Sequence, residues 1–237
     1  MTPLRAHTLC IVFAGLPLCA AAQAEAQVAA SASIASDYRY RGVSLTDGKP
    51  ALSLNIAYDR DSGLYAGATA IGASGAHGSG LVGATEYVGY VARVSPRTAW
   101  DLGVTHSEFK ATSAERRAFD DTEFYTGVIK DHVSAHLHYS PDYFGQGVST
   151  VYVDLDGAFR PARQWRLFGH VGVLTPVSGS GSAGAHRERY DLRAGVAAEF
   201  NSGEVQLAWA STRPDPDYPA GHSQSRDALV IAVTCFF

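Results

Sequence analysis

From residue 31 to the last residue, apolar and polar side chains alternate one by one in segment after segment. A period of two admits β-strands and leaves little room for helices. Leu229, Ile231, Val233, Cys235 and Phe237 share one face, and Leu52, Leu54, Ile56 and Tyr58 alternate with Ser53, Asn55, Ala57 and Asp59. Val133, Ala135, Leu137 and Tyr139 alternate with His132, Ser134, His136 and His138. Val151, Val153 and Leu155 alternate with Tyr152, Asp154 and Asp156. The spacing predicts 12 strands, near 31–41, 49–59, 63–71, 84–95, 98–107, 120–130, 132–140, 148–159, 163–174, 188–200, 203–211 and 226–237. In the sixth, Phe124, Tyr125, Val128 and Ile129 are apolar at both parities, so its faces stay unassigned.

A soluble sandwich also alternates, and the connections separate the two folds. Short links fall at Asp59–Gly63, Ser95–Arg97, Lys130–His132, Arg160–Arg163 and Asn201–Gly203. Between them lie long ones, at Gly42–Gly48, Gly72–Gly83, Glu108–Phe119, Pro141–Gly147, Pro176–Arg187 and Thr212–Ser225. Strict long–short alternation with an even strand count is the pattern of outer-membrane barrels, whose short turns face the periplasm. The predicted fold is therefore all-β: a single closed antiparallel transmembrane barrel of about 12 strands spanning 25–237. The outer face carries aromatic side chains near strand ends, among them Tyr38, Tyr40, Trp100, Trp165, Trp209 and Phe237, as suits a lipid–water boundary.

Residues 1–24 read as an export signal. Arg5 and His7 precede an apolar run from Leu9 to Leu18, and small residues around Ala20, Ala22, Ala24 and Ala26 offer cleavage sites. That run is too short for a membrane helix, and no later apolar run reaches spanning length. The net charge of −4 gives no reason to expect nucleic acid as a partner. Cys10 and Cys19 lie in the signal, which leaves Cys235 without a disulfide partner in the mature chain. Export places the barrel in the outer membrane of a Gram-negative bacterium. Its expected partners are membrane lipid and lipopolysaccharide, the barrel-assembly machinery through the strand ending at Phe237, and small polar solutes.

By parity the lumen receives Asp37, Arg39, Arg41, Arg93, Asp101, Asp154, Asp156, Arg166, His170, Arg189, Asp191, Arg193 and Glu199. Twelve strands enclose more space than the roughly 8 that side chains fill and less than the 16 to 18 of open porins. Lining of both signs argues for a narrow, weakly charge-selective pore, or for charges that neutralise one another as a plug.

The segment Ser36-Asp37-Tyr38-Arg39-Tyr40-Arg41-Gly42-Val43-Ser44, followed by Thr46-Asp47-Gly48-Lys49-Pro50-Ala51, resembles the opening motif of the TorF-like porin family of proteobacteria. Ser62-Gly63-Leu64-Tyr65-Ala66-Gly67 and Glu86-Tyr87-Val88-Gly89-Tyr90 are similar to that family's next blocks. The resemblance implies an outer-membrane barrel acting as a porin for passive diffusion and supplies no substrate. In the motif itself, Asp37, Arg39 and Arg41 are expected to point into the lumen, with Tyr38 and Tyr40 facing lipid.

Two other chemistries find partial patterns in the chain. His132-Val133-Ser134 resembles the His-x-Ser pair of outer-membrane lipid A deacylases, with Glu123 or Asp131 to orient the imidazole. His132, His136 and His138, with His170 two strands away, suggest a metal site, but no cysteine or tight carboxylate set completes a shell. The expectation is a channel, not an enzyme, with no catalytic residues, metal or cofactor. A purely structural barrel is the remaining alternative.

Overall fold

The computed structural model describes residues 27–75, 78–110, 118–180, 187–213 and 227–237. The expected signal peptide, with Cys10 and Cys19, lies outside them, as do His77, His186 and most of the connections at 111–117 and 214–226. The strands are β1 (Gln27–Ala35), β2 (Arg39–Tyr40), β3 (Val43–Ser44), β4 (Ala51–Asp59), β5 (Leu64–Gly75), β6 (Gly78–Ser95) and β7 (Thr98–Lys110). They continue as β8 (Ala118–Lys130), β9 (Val133–Ser140), β10 (Val148–Ala162), β11 (Trp165–Gly179), β12 (Arg189–Phe200), β13 (Gly203–Thr212) and β14 (Asp227–Phe236). A 3-10 turn, Tyr143–Gly145, joins β9 to β10.

β1 and β4 to β14 form one closed barrel of 12 antiparallel strands in chain order, with β14 pairing back on β1. Closure leaves no unpaired edge, the condition a strand must meet inside hydrocarbon. The outer face carries the apolar set in full exposure: Leu54 is 53% exposed, Phe124 53%, Leu155 47% and Ile231 52%. On a soluble protein so continuous an apolar surface would be a liability, and on a barrel it is the lipid-facing band. Tyr58, Trp100, Phe159, Trp165 and Phe200 line the band close to the short turns.

Three expectations change. First, the opening wall strand is 27–35, not 31–41, and the chain leaves the wall at Ser36, whose amide donates to the Ile231 carbonyl. The motif that follows folds into the lumen as the small β2–β3 hairpin. Tyr38 and Tyr40 therefore do not face lipid. Tyr40 is buried in an interior aromatic cluster, and Tyr38 packs against it. Second, the long loop expected at Gly72–Gly83 is mostly sheet, with the ladder running from Gly72 opposite Leu81 to Gly75 opposite Gly78. Backbone hydrogen bonds extend a hairpin without apolar side chains, so a composition of Gly, Ser and Ala is no obstacle there. Third, β11 continues past Pro176 to Gly179, with Pro176 beside a register shift, where a missing N–H is tolerated. The short links at the opposite end match the expected turns, and the connections at this end are longer except for the one between β5 and β6.

Candidate functional site

The site grows from the inner hairpin. Arg39 pairs with Ser44 and Tyr40 with Val43 across a two-residue turn, Arg41-Gly42, whose φ values are 46° and 76°. Positive φ at both positions is the signature of a tight hairpin turn of the primed type. A second such pair, Asp47-Gly48 at 55° and 70°, turns the chain back toward β4, with the Lys49 amide donating to the Thr46 carbonyl. Asp37 holds the two turns together. Its carboxylate accepts from Arg39 Nε at 2.7 Å, from Ser44 Oγ at 2.5 Å and from Thr46 Oγ1 at 3.1 Å. A fold this compact within a dozen residues follows from turn-forming dipeptides placed around one acceptor.

The hairpin then locks into the wall. Tyr40 packs on Phe109 of β7 with ring centroids 4.9 Å apart, and Leu45, Ile71, Phe144 and Leu174 complete an apolar core inside the barrel. Arg41 reaches across to β8 and donates to Glu123 Oε2 at 2.7 Å, with its guanidinium 3.8 Å from the Tyr152 ring centroid on β10. Gly42 lies against β12 and β13, where a Cβ would come within 2.6 Å of Thr212 Cβ and 2.9 Å of Asp191 Cβ. Glycine is required there twice over, by backbone sign and by space. The half of the lumen nearer the long connections is filled in this way. At its edge, burial pushes the Tyr143 phenol up to about 12, so it stays neutral 5.7 Å from the Arg189 guanidinium.

Below the hairpin, β7 to β13 present ionic pairs. His136 lies between Asp101, at 3.4 Å, and Asp154, at 3.6 Å. His138 Nε2 is 3.2 Å from the same Asp154. His170 sits 2.9 Å from both Asp156 and Asp191, with the Tyr152 hydroxyl 3.0 Å away. Tyr65 on β5 donates to Asp101 at 2.5 Å and meets the Tyr125 hydroxyl. Arg166 donates to Glu199 at 2.7 Å and to Glu204 at 2.5 Å. Each inward ring needs floor space: a Cβ on Gly67 would collide with Tyr87, and one on Gly172 with Tyr152. The opposite wall, from β14 through β1 to β5, offers Ser31, Ser33, Ser53, Asn55, Thr69 and Thr234. Between the walls lies a cavity of about 310 Å³.

Of the residues predicted for the lumen, Asp37, Arg39, Arg41, Asp101, Asp156, Arg166, His170, Asp191 and Arg193 line this cavity. Asp154 is buried behind the histidine pair, and Arg189 is buried beside Tyr143. Arg93 is exposed close to the Ser95–Thr98 turn and away from the cavity. Asp37, Arg39 and Arg41 reach the lumen from the hairpin, not from the wall. The aspartates at 154, 156 and 191 pair with histidines, and Arg166 pairs with Glu199 and Glu204. Tyr65, Asp121, Glu123, Tyr125, Glu204 and Gln206 were not foreseen as lumenal. β8 hid three of them: its outer face is Phe124, Thr126 and Val128, and its inner face Asp121, Glu123, Tyr125, Gly127 and Ile129. The legible signal was the glycine at 127, directly across from His136.

The deacylase pair is not assembled. Ser134 faces inward and is 1% exposed, His132 is exposed in the turn, and Ser134 Oγ has no hydrogen-bond partner among the described residues. Glu123 is engaged by Arg41, and Asp131 lies 3.8 Å from Arg97 on the surface. Among the described residues no group of three or more His, Cys, Asp or Glu has the geometry to hold a metal ion.

Solved structures with the same architecture include the NanC porin, with a TM-score of 0.60 at 8% identity over 88% of this chain and 99% of that one. The KdgM porin gives 0.51 at 10% identity over 90% and 98% of the two chains. LpxR from Salmonella typhimurium gives 0.42 at 10% identity over 88% and 99%, too low a score to bear on chemistry. At these identities the likeness is one of fold. No curated protein matches the sequence. The sequence does match, over residues 19–236, the family described as "Bacterial protein of unknown function (Gcw_chp)", and the chain belongs to that family.

Proposed function

We propose that this barrel is a narrow outer-membrane channel for passive diffusion of small polar solutes, with weak charge selectivity. The observation that carries the reading is the 310 Å³ cavity, in which charged and hydroxyl side chains stand among aromatic and aliphatic ones, inside a closed wall with an apolar outer band. Such an interior has no use in a protein that only needs a packed core, since paired ions and hydroxyls are poor substitutes for apolar filling. The inner hairpin supplies the constriction, and the mutual pairing of lumenal charges accounts for weak selectivity. Two neighbours in fold carry the name porin, and the opening motif resembles TorF-like porins, which points the same way.

On this reading residues 1–24 direct export, residues 25–237 form the barrel in a Gram-negative outer membrane, and the short turns face the periplasm. Lipid and lipopolysaccharide surround the band, and assembly proceeds through the strand ending at Phe237. Planar-bilayer recording of the refolded protein tests it: discrete current steps are expected, and an untouched baseline overturns the proposal. A second reading, a structural barrel without conduction, draws on the apolar core that fills one half of the lumen, and the silent baseline is its prediction. An enzyme of the deacylase type needs a base at Ser134, and the described residues place none within hydrogen-bond distance.

A further inference from the structure

Four guanidinium groups line the cavity, those of Arg39, Arg41, Arg166 and Arg193. Arg39 is held by Asp37, Arg41 by Glu123, and Arg166 by Glu199 and Glu204. Arg193 differs. It donates to the neutral amide oxygen of Gln206 at 3.0 Å, and no carboxylate among the described residues lies within ion-pair distance of it. The acids that share its surroundings are already engaged: Glu204 by Arg166 and the Gln206 amide, and Asp156 and Asp191 by His170.

We propose that Arg193 makes the cavity a site for small hydroxylated solutes that carry one carboxylate, an inference that rests on the channel function proposed above. A guanidinium facing an enclosed space without a counter-charge is compensated by water when the space is empty, and better by a carboxylate, which matches its fork with two parallel hydrogen bonds. The Phe168 ring centroid lies 5.1 Å from Arg193 and 5.3 Å from Arg166, which fixes the guanidinium against an apolar face. Room for a ligand beside it comes from short side chains, Ala35, Ala210 and Ala232, which also line the cavity. Within the same space Ser33 and Thr234 share one hydrogen bond at 3.1 Å, and Ser31 adds a hydroxyl, so donors and acceptors are available to a solute's own hydroxyls. The volume, about 310 Å³, stands at the lower end of the range for small-molecule sites, roughly 300 to 1,000 Å³. A cationic solute of equal size meets repulsion from Arg193 and finds the carboxylates occupied.

Proteoliposomes holding the full barrel separate these cases when loaded by radiolabelled glucose, glucuronate and glucosamine, three rings of one size that differ in charge. Entry of glucuronate ahead of glucose, and of glucose ahead of glucosamine, is expected for the natural protein. Arg193→Gln lowers the glucuronate-to-glucose ratio by about tenfold, the scale of one charge-assisted hydrogen bond, and Arg193→Lys restores part of it by keeping charge without the fork. A natural-protein ratio at or below one, or a ratio that Arg193→Gln leaves unchanged, overturns the inference while the channel stands. Entry of none of the three overturns the channel reading itself. Should Arg193→Gln fail to assemble, the order of the three solutes in the natural protein decides the matter alone.

Discussion

From β14 through β1 to β4 the lumenal wall is built mainly of Ser, Thr, Asn and Ala side chains that end soon after they begin. Across from it, β7 to β13 carry Asp, Glu, His, Arg and Tyr in closed pairs, and the inner hairpin is anchored mainly to those strands, at Phe109, Glu123, Tyr152 and Thr212. The first wall leaves space, and the second fills it. A barrel of 12 strands is too wide for its walls to meet, so an inserted segment needs specific anchors on one side and clearance on the other. Small polar residues provide clearance without leaving an apolar void, and buried ion pairs provide anchors that hold only in one geometry.

The largest expected effect comes from removing the inserted segment. Replacing residues 37–48 by a short Gly-Ser link takes out the hairpin and both of its turns, and single-channel current in planar bilayers is expected to rise several-fold. Current of unchanged size would mean that the hairpin does not set the width. Next is the anchor itself. Glu123→Ala strands the Arg41 guanidinium, which is 11% exposed, and breaking one side of such a buried pair costs about 3–5 kcal/mol, readable as a lower midpoint in denaturant titration of the refolded barrel.

Gly42→Ala asks a non-glycine residue to hold φ near +76° with its Cβ against Thr212, and about 1–3 kcal/mol is expected to be lost in the same titration. The smallest effect belongs to the bare wall. Ser53→Ala removes a hydroxyl with no anchoring role, and its change is expected to stay within about 0.5 kcal/mol. A cost for Ser53→Ala comparable to that of Glu123→Ala would erase the distinction between the two walls.

What could be read in advance follows the same division. The exposure of β9 alternates residue by residue from Val133 to Ser140, as its spacing implied, because lipid imposes one demand on every outward position. β8 resisted the same reading: Tyr125 and Ile129 face the lumen, the first over the space left by Gly89 and Gly103, so both parities look apolar. The partners of the lumenal charges were harder still. Arg41 and Glu123 stand 82 positions apart, and Arg166 and Glu204 38 apart, and no local spacing signals either pair. The opening motif misled for a related reason. Tyr38 and Tyr40 alternate with charges as a wall strand would, yet Arg41-Gly42 and Asp47-Gly48 turn the chain inward before it can continue the wall.

By itself the sequence determined a closed antiparallel barrel of about 12 strands and the outward face of most of them, because those strands carry the period of two within their own few residues and short turns recur at one end. Only the tertiary structure decided that the first motif folds into the lumen, which acid holds which base, and that Arg193 is left facing the cavity with an amide for a partner. Those contacts join the inserted hairpin to the wall, as Arg41 does with Glu123, or join side chains on adjacent and next-but-one strands, as Arg166 does with Glu204, and the partners meet only once the strands stand in register around the lumen.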